Sequence, residues 1–105
     1  MSSDADRISE YRRLAGEWAP ALHALGQPER LLIALCLAGG EHTVTELQEA
    51  TGLRQSLVSY HLAGLRTAGL VTVTPAGRSN RYRLCCADMD ELAGTLASLA
   101  GVVRT

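Results

Sequence analysis

Apolar residues recur along the chain at helical spacing and then, past position 70, at alternate positions, which predicts helices first and a strand pair later. Ile8, Tyr11, Ala15 and Trp18 fall on one stripe of a first helix, which Pro20 is expected to end or restart. A short apolar turn, Ala21 to Leu25, precedes Gly26. Pro28 then stands where a first helical position tolerates it, and Leu31 to Ala38 reads as a buried helix closed by Gly39-Gly40. Thr43 and Glu46 have the spacing of a capping box, whose side chains satisfy orphan amides of a first turn. That helix is short and ends at Thr51-Gly52, where a left-handed Gly52 supplies a sharp change of direction before a further helix, Gln55 to Ala68. The spacing is that of a helix-turn-helix.

In the second helix of this pair Val58, Leu62 and Leu65 should face the core, while Gln55, Ser56, Ser59, Tyr60 and Ala63 fall on the opposite side. That outward face is polar but uncharged. Amide and hydroxyl groups can hydrogen-bond base edges in a major groove, and short side chains let the backbone approach; an ordinary solvated face more often carries Glu and Lys. After Gly69, Val71-Thr72-Val73-Thr74 alternates, Pro75-Ala76-Gly77 turns, and Arg81-Tyr82-Arg83-Leu84 alternates again. Tyr82 and Leu84 share one face of this hairpin, Arg81 and Arg83 the other, with Arg78 near the tip. Such a wing can reach phosphates or a neighbouring minor groove, although outward arginines also serve simply to block edge-to-edge aggregation.

A last helix, from Asp88 to about Val103, carries Leu92, Leu96, Leu99 and Val103 on one stripe. A small domain whose core is filled by its central helices has little left to cover this stripe and the one bearing Ile8, Tyr11 and Trp18. Pairing both terminal helices with a symmetry mate hides them, and a two-fold dimer places DNA half-sites about 34 Å apart. The expected organisation is one mainly α domain over residues 1–105 with a small β-hairpin: a winged helix-turn-helix at 43–84, dimerising through 1–19 and 88–105.

Charge sharpens this picture. The chain has 105 residues, ten basic and eleven acidic, for a formal net charge of −1. The signs are segregated. From Arg54 to Ala87 there is no Asp or Glu, and Arg54, Arg66, Arg78, Arg81 and Arg83 cluster there; the other five arginines face all eleven acids, a balance of −6. Local positive potential displaces counterions from phosphates, so the distribution counts for more than the total. At 47% hydrophobic the chain can fill a single core, and its longest apolar run stops at Gly39, far short of the ~20 residues a membrane span requires. Three cysteines, two of them adjacent, make no secreted disulfide framework, so a cytoplasmic, reducing setting is expected. No nucleophile with a base, phosphate loop or metal-activating trio can be assembled, which argues against an enzyme.

Several runs together carry a resemblance: Ala24-Leu25-Gly26-Gln27-Pro28-Glu29-Arg30-Leu31, Val44-Thr45-Glu46-Leu47, Gln55-Ser56-Leu57-Val58-Ser59-Tyr60-His61-Leu62, Leu65-Arg66 with Gly69-Leu70-Val71, and Gly77-Arg78 with Tyr82 and Leu84. In this order, over about two-thirds of the chain, they resemble the ArsR/SmtB family of winged-helix repressors. The resemblance implies a homodimer on a partly palindromic DNA operator, with the Gln55 to Leu65 helix in the major groove. Carried over by position, Gln55, Ser56, Ser59 and His61 are groove-facing or groove-adjacent and Arg78 is the wing-tip contact. Tyr60, Arg81 and Arg83 join them as candidate DNA contacts, and His61 also reads as a packing residue. One departure is Arg54, where the family usually has a serine cap; a phosphate contact can compensate for the lost amide partner.

The resemblance also implies a small effector, often a transition metal ion such as nickel, zinc or cobalt. The thiolate pair that some members carry would fall on Thr43 and Thr45, neither a soft ligand. A second family site, between C-terminal helices, would begin at Asp88 and Asp90, plausible oxygen ligands that serve equally as favourable charge at a helix start, and would end at Gly101 and Arg104, which ligate nothing. Cys86 or His42 could join the aspartates, but no spacing matches a known ligand motif. Two alternatives therefore stand beside a metal sensor: a DNA-binding subunit controlled by a metal-binding partner protein, and a thiol switch pairing Cys85 or Cys86 with Cys36 or with the other subunit.

Overall fold

A computed structural model describes residues 4–85 together with Gly94 and Ala97. Four helices lead into one hairpin: α1 (Asp4–Leu25), α2 (Pro28–Ala38), α3 (Val44–Thr51), α4 (Gln55–Thr67), β1 (Val71–Ala76) and β2 (Ser79–Leu84). This is the mainly α, winged helix-turn-helix arrangement that the periodicity predicts.

The first helix differs from expectation. α1 runs unbroken through Pro20, absorbing the short segment Ala21 to Leu25. Proline removes one backbone bond there, but the turn that follows packs Ala21, Ala24 and Leu25 against the core, and Ala24 is buried. On its exposed side Arg13 pairs with Glu10 at 2.7 Å and with Glu17. α2 starts with Pro28 at its first position after an extended Gln27. It is only partly buried, a second correction: Ile33, Ala34 and Leu37 turn inward, while Leu31, Leu32 and Leu35 are exposed. One helix can present only a stripe to its neighbours, so an unbroken apolar run must leave part of itself outside.

The helix-turn-helix follows the sequence closely. Thr43 Oγ1 accepts the Glu46 amide at 3.1 Å, and the Thr43 amide donates to Glu46 Oε1 at 2.8 Å, completing the capping box. Gly52 closes α3 with φ +75°, a conformation that a side chain disfavours, and turns the chain into α4. α4 opens on Arg54, whose side chain makes no capping bond, as expected of an arginine at that place. Val58, Leu62 and Leu65 are buried and share one core with Ala24, Ile33, Leu37, Leu47, Leu70 and Val71.

The wing is longer and its turn tighter than the alternation suggests. Val71 pairs with Leu84 and the register continues to Ala76 opposite Ser79, leaving Gly77 and Arg78 as the turn, with Gly77 at φ +66°. Pro75 is therefore inside β1, acceptable because β1 is the outer strand. On its other side β2 gains an antiparallel bridge that sequence periodicity does not reveal. The His42 amide donates to the Tyr82 carbonyl at 3.0 Å, and the Tyr82 amide to the His42 carbonyl at 2.8 Å.

The Glu46 carboxyl lies below the ordinary carboxylate range, chiefly because it accepts the Thr43 amide, with the Arg81 and His42 charges adding to the effect. A group whose folded pKa is depressed contributes stability that is present at neutral pH and lost as acid protonates it. Thr43→Ala removes the hydroxyl that accepts the Glu46 amide and should lower unfolding stability by about 1 kcal/mol in urea titrations at pH 7, and Glu46→Gln, which abolishes the titrating carboxyl, should flatten the acid limb of stability against pH.

Candidate nucleic-acid interface

The burial of Val58, Leu62 and Leu65 decides what α4 offers to a partner. With that stripe inward, Gln55, Ser56, Ser59, Tyr60 and Ala63 are exposed, as are Arg54 before the helix and Arg66 near its end. The outward surface is thus uncharged in its middle and positive at both ends. Such a surface can donate and accept hydrogen bonds to base edges while its flanks meet phosphates.

His61 does not belong to that surface. Its side chain is 1% exposed, so it lies within the fold, where its neighbour Tyr60 approaches it edge-on with ring centroids 5.2 Å apart. Its Nε2 is 3.5 Å from Glu29 Oε1 on α2, in a geometry that is not a hydrogen bond. The groove-facing placement of His61 is therefore corrected to the packing role, because the residue sits on the same side of α4 as Val58, Leu62 and Leu65.

The three wing arginines also divide. Arg78, at the turn, is exposed and has no ion pair with any described residue. Arg83 is exposed and leans on Thr72, Nε to Oγ1 3.4 Å, its cross-strand neighbour. Arg81 is drawn back against α3 instead of standing free on the outer face. Its Nε is 3.4 Å from Glu41 Oε1 and its Nη2 3.5 Å from Glu46 Oε1, with the Glu41 carbonyl also at 3.4 Å. The reason is tertiary: the His42 bridge carries Glu41 and the start of α3 to β2, and opposite charges then meet.

A fourth cation escapes the sequence reading. Arg30, in the first turn of α2, lays its guanidinium beside α4, with Cζ 5.8 Å from the Tyr60 ring centroid. The signal available in the sequence was Gly64, a glycine in a helix interior, where it normally weakens the helix.

The metal-ligand expectations find little support among the described residues. Thr43 Oγ1 is occupied by the capping bond, and no group of three or more His, Cys, Asp or Glu could hold a metal ion. The described residues thus do not fit a metal. Asp88, Asp90, Cys86 and the stripe Leu92, Leu96, Leu99 and Val103 lie outside the described residues. On α1, Ile8 and Tyr11 are half exposed and Trp18 is partly buried. No described helix is long and apolar enough to cross a membrane.

Comparison with known proteins agrees with this layout. Residues 27–73 match the profile of bacterial regulatory proteins of the arsR family. The chain is 47% identical over 70 residues to the HTH-type transcriptional regulator NmtR of Mycobacterium tuberculosis, covering 67% of this chain and 58% of that protein. It is 44% identical over 88 residues to the HTH-type transcriptional repressor SmtB of the same species, covering 76% and 65%. The chain thus spans less than two-thirds of these relatives' length. The crystal structure of the transcriptional regulator HlyU from Vibrio vulnificus superposes with a TM-score of 0.74 at 30% identity, over 89% of this chain and 97% of that one.

The two kinds of wing arginine should behave differently. Arg78→Ala is expected to weaken binding to specific and random duplexes alike and to reduce the salt slope of log K by about 0.9 for each phosphate that the variant no longer neutralises. Arg81→Ala should leave that slope nearly unchanged and lower the thermal midpoint, since it breaks a wing-to-α3 tie.

Proposed function

Since the chain belongs to the bacterial arsR family of regulatory proteins, we propose that it is a sequence-specific DNA-binding transcriptional regulator that reads duplex DNA with α4 and holds the backbone with its wing. The observation that carries this reading is the outward face of α4. Gln55, Ser56, Ser59 and Tyr60 are exposed and uncharged, while exposed arginines stand at both ends of the helix, Arg54 and Arg66, and on the wing, Arg78 and Arg83. Bases are recognised by hydrogen-bonding groups and phosphates by cations, and the two kinds of group are laid out in that relation. The protein acts as a repressor in this reading, as a homodimer on a palindromic operator, with the exposed Ile8 and Tyr11 of α1 in the interface beside the C-terminal stripe.

Gln55→Ala tests the groove reading. It should reduce discrimination between an operator and random duplex DNA, by about 1–3 kcal/mol if the glutamine amide bonds a base edge in bidentate fashion, while leaving the salt slope intact. An unchanged ratio would remove α4 as the reading element.

Control of DNA affinity is assigned to a small effector such as a transition metal ion. The second reading, a DNA-binding subunit governed by a metal-binding partner protein, is favoured by the sequence: by the family resemblance the second half of a C-terminal metal site would fall on Gly101 and Arg104, neither of which supplies a ligand. Calorimetric titration with nickel, zinc and cobalt separates the two. Micromolar or tighter binding that changes duplex affinity supports a sensor, and no binding supports control by a partner.

A further inference from the structure

Tyr60 and Gly64 are one turn apart on α4, and the guanidinium of Arg30 lies against both. A Cβ built on Gly64 would stand 2.7 Å from Arg30 Cζ, 2.9 Å from Nη2 and 3.0 Å from Nε, closer than side chains approach one another. Only a glycine lets the guanidinium lie so near the helix. Arg30 Nε is buried without a hydrogen-bond partner, and the side chain has no ion pair among the described residues. The adjacent carboxylate, Glu29, is turned to His61 instead. A cation has thus been brought to a defined place and left without an anion.

That place opens on a cleft of about 540 Å³ lined by His23, Gly26, Gln27, Pro28, Arg30 and Tyr60. No acidic side chain lines it. Gln27 and Pro28 are the cap and first residue of α2, and the Gln27 side chain makes no capping bond, so the positive end of that helix also faces the cleft. Arginine's planar fork suits two oxygens of one phosphate group, and the Tyr60 ring holds it in orientation. Tyr60 is itself 61% exposed, on the same face as Ser56 and Ser59.

We propose that this cleft is a binding pocket for a single phosphate-type oxyanion, with Arg30 as its principal ligand and His23 and Gln27 as polar wall. Its place beside the outward face of α4 makes the oxyanion a backbone phosphate flanking the groove that α4 enters, a contact outside both the helix-turn-helix and the wing. The assignment of the source rests on the groove reading of α4. A free phosphate-bearing small molecule offers the same chemistry.

Two variants of the full chain test the pocket. Arg30→Gln removes the charge. Gly64→Ala keeps every charge but pushes the guanidinium from its slot; because the collision is with the end of a flexible side chain, its thermal midpoint should match or exceed that of the original protein. Both variants should reduce the salt slope of duplex binding by about 0.9, equally for operator and random DNA. In the DNA-free protein, inorganic phosphate should shift the Tyr60 and His23 NMR signals, and either variant should suppress that shift. Suppressed phosphate binding with an unchanged salt slope supports the pocket and identifies a free oxyanion as its ligand. A normal slope in both variants, together with no Arg30-dependent phosphate shift, overturns it. If Arg78→Ala and Gln55→Ala are also silent towards DNA, the groove reading has failed separately, and the phosphate titration still decides the pocket.

Discussion

Three side chains on one stripe of α4, Val58, Leu62 and Leu65, have almost no exposed surface, and the direction of every other residue on that helix follows from their burial. Each contributes about 1.5–3 kcal/mol by leaving water. Rotating α4 to hide its polar side instead would expose all three and bury Gln55, Ser56 and Ser59 without partners, which costs about as much again. The outward face is therefore fixed by the inward one. Leu47 of α3 and Ile33 of α2, both fully buried in the same cluster, set the angle at which that face is presented.

A second layer of the structure joins the wing to this unit. The hairpin alone would be a two-stranded ribbon, marginal in water. Its bridge to His42 and the ties from Arg81 to Glu41 and Glu46 connect it to the loop before α3. Glu46 serves twice, accepting the Thr43 amide that starts α3 and lying beside the Arg81 guanidinium from β2. Exposed ion pairs of this kind contribute little stability singly. Their effect here is positional, since they hold β2 against the first turn of the helix-turn-helix and leave Arg78 and Arg83 outermost.

The distribution of arginine then has a simple logic. Arg13 is paired with Glu10 and Glu17 on α1, and Arg81 with Glu41 and Glu46, so these cations are largely neutralised by neighbours. Arg54, Arg66, Arg78 and Arg83 are exposed and have no ion pair with any described residue; the first two stand at the ends of α4 and the other two on the wing. A chain with nearly balanced total charge can thus keep a positive rim where an anionic polymer would lie, because acidic residues are absent from that stretch of sequence.

Much of this was legible from local pattern alone. The capping box at Thr43 and Glu46, the left-handed turn at Gly52, the buried stripe of α4 and the alternation of the wing depend on interactions within a few residues, which spacing reports directly. What lay beyond that reach was decided by contacts distant along the chain. α1 passes through Pro20 because packing of Ala24 outweighs one missing backbone bond; His61 turns inward because α2 brings Glu29 and a filled core to its side of α4. Arg81 folds back because the His42 bridge delivers two carboxylates to it, and Arg30 reaches α4 only because Gly64 leaves room. Sequence by itself determined which elements form and which faces they prefer, since those are short-range properties of the backbone and of apolar periodicity. Tertiary structure alone decided that Arg81 is paired and that Arg30 reaches α4, because the groups they meet are distant along the chain and are brought near only by the fold, unlike the partners of Arg13 one turn away on the same helix.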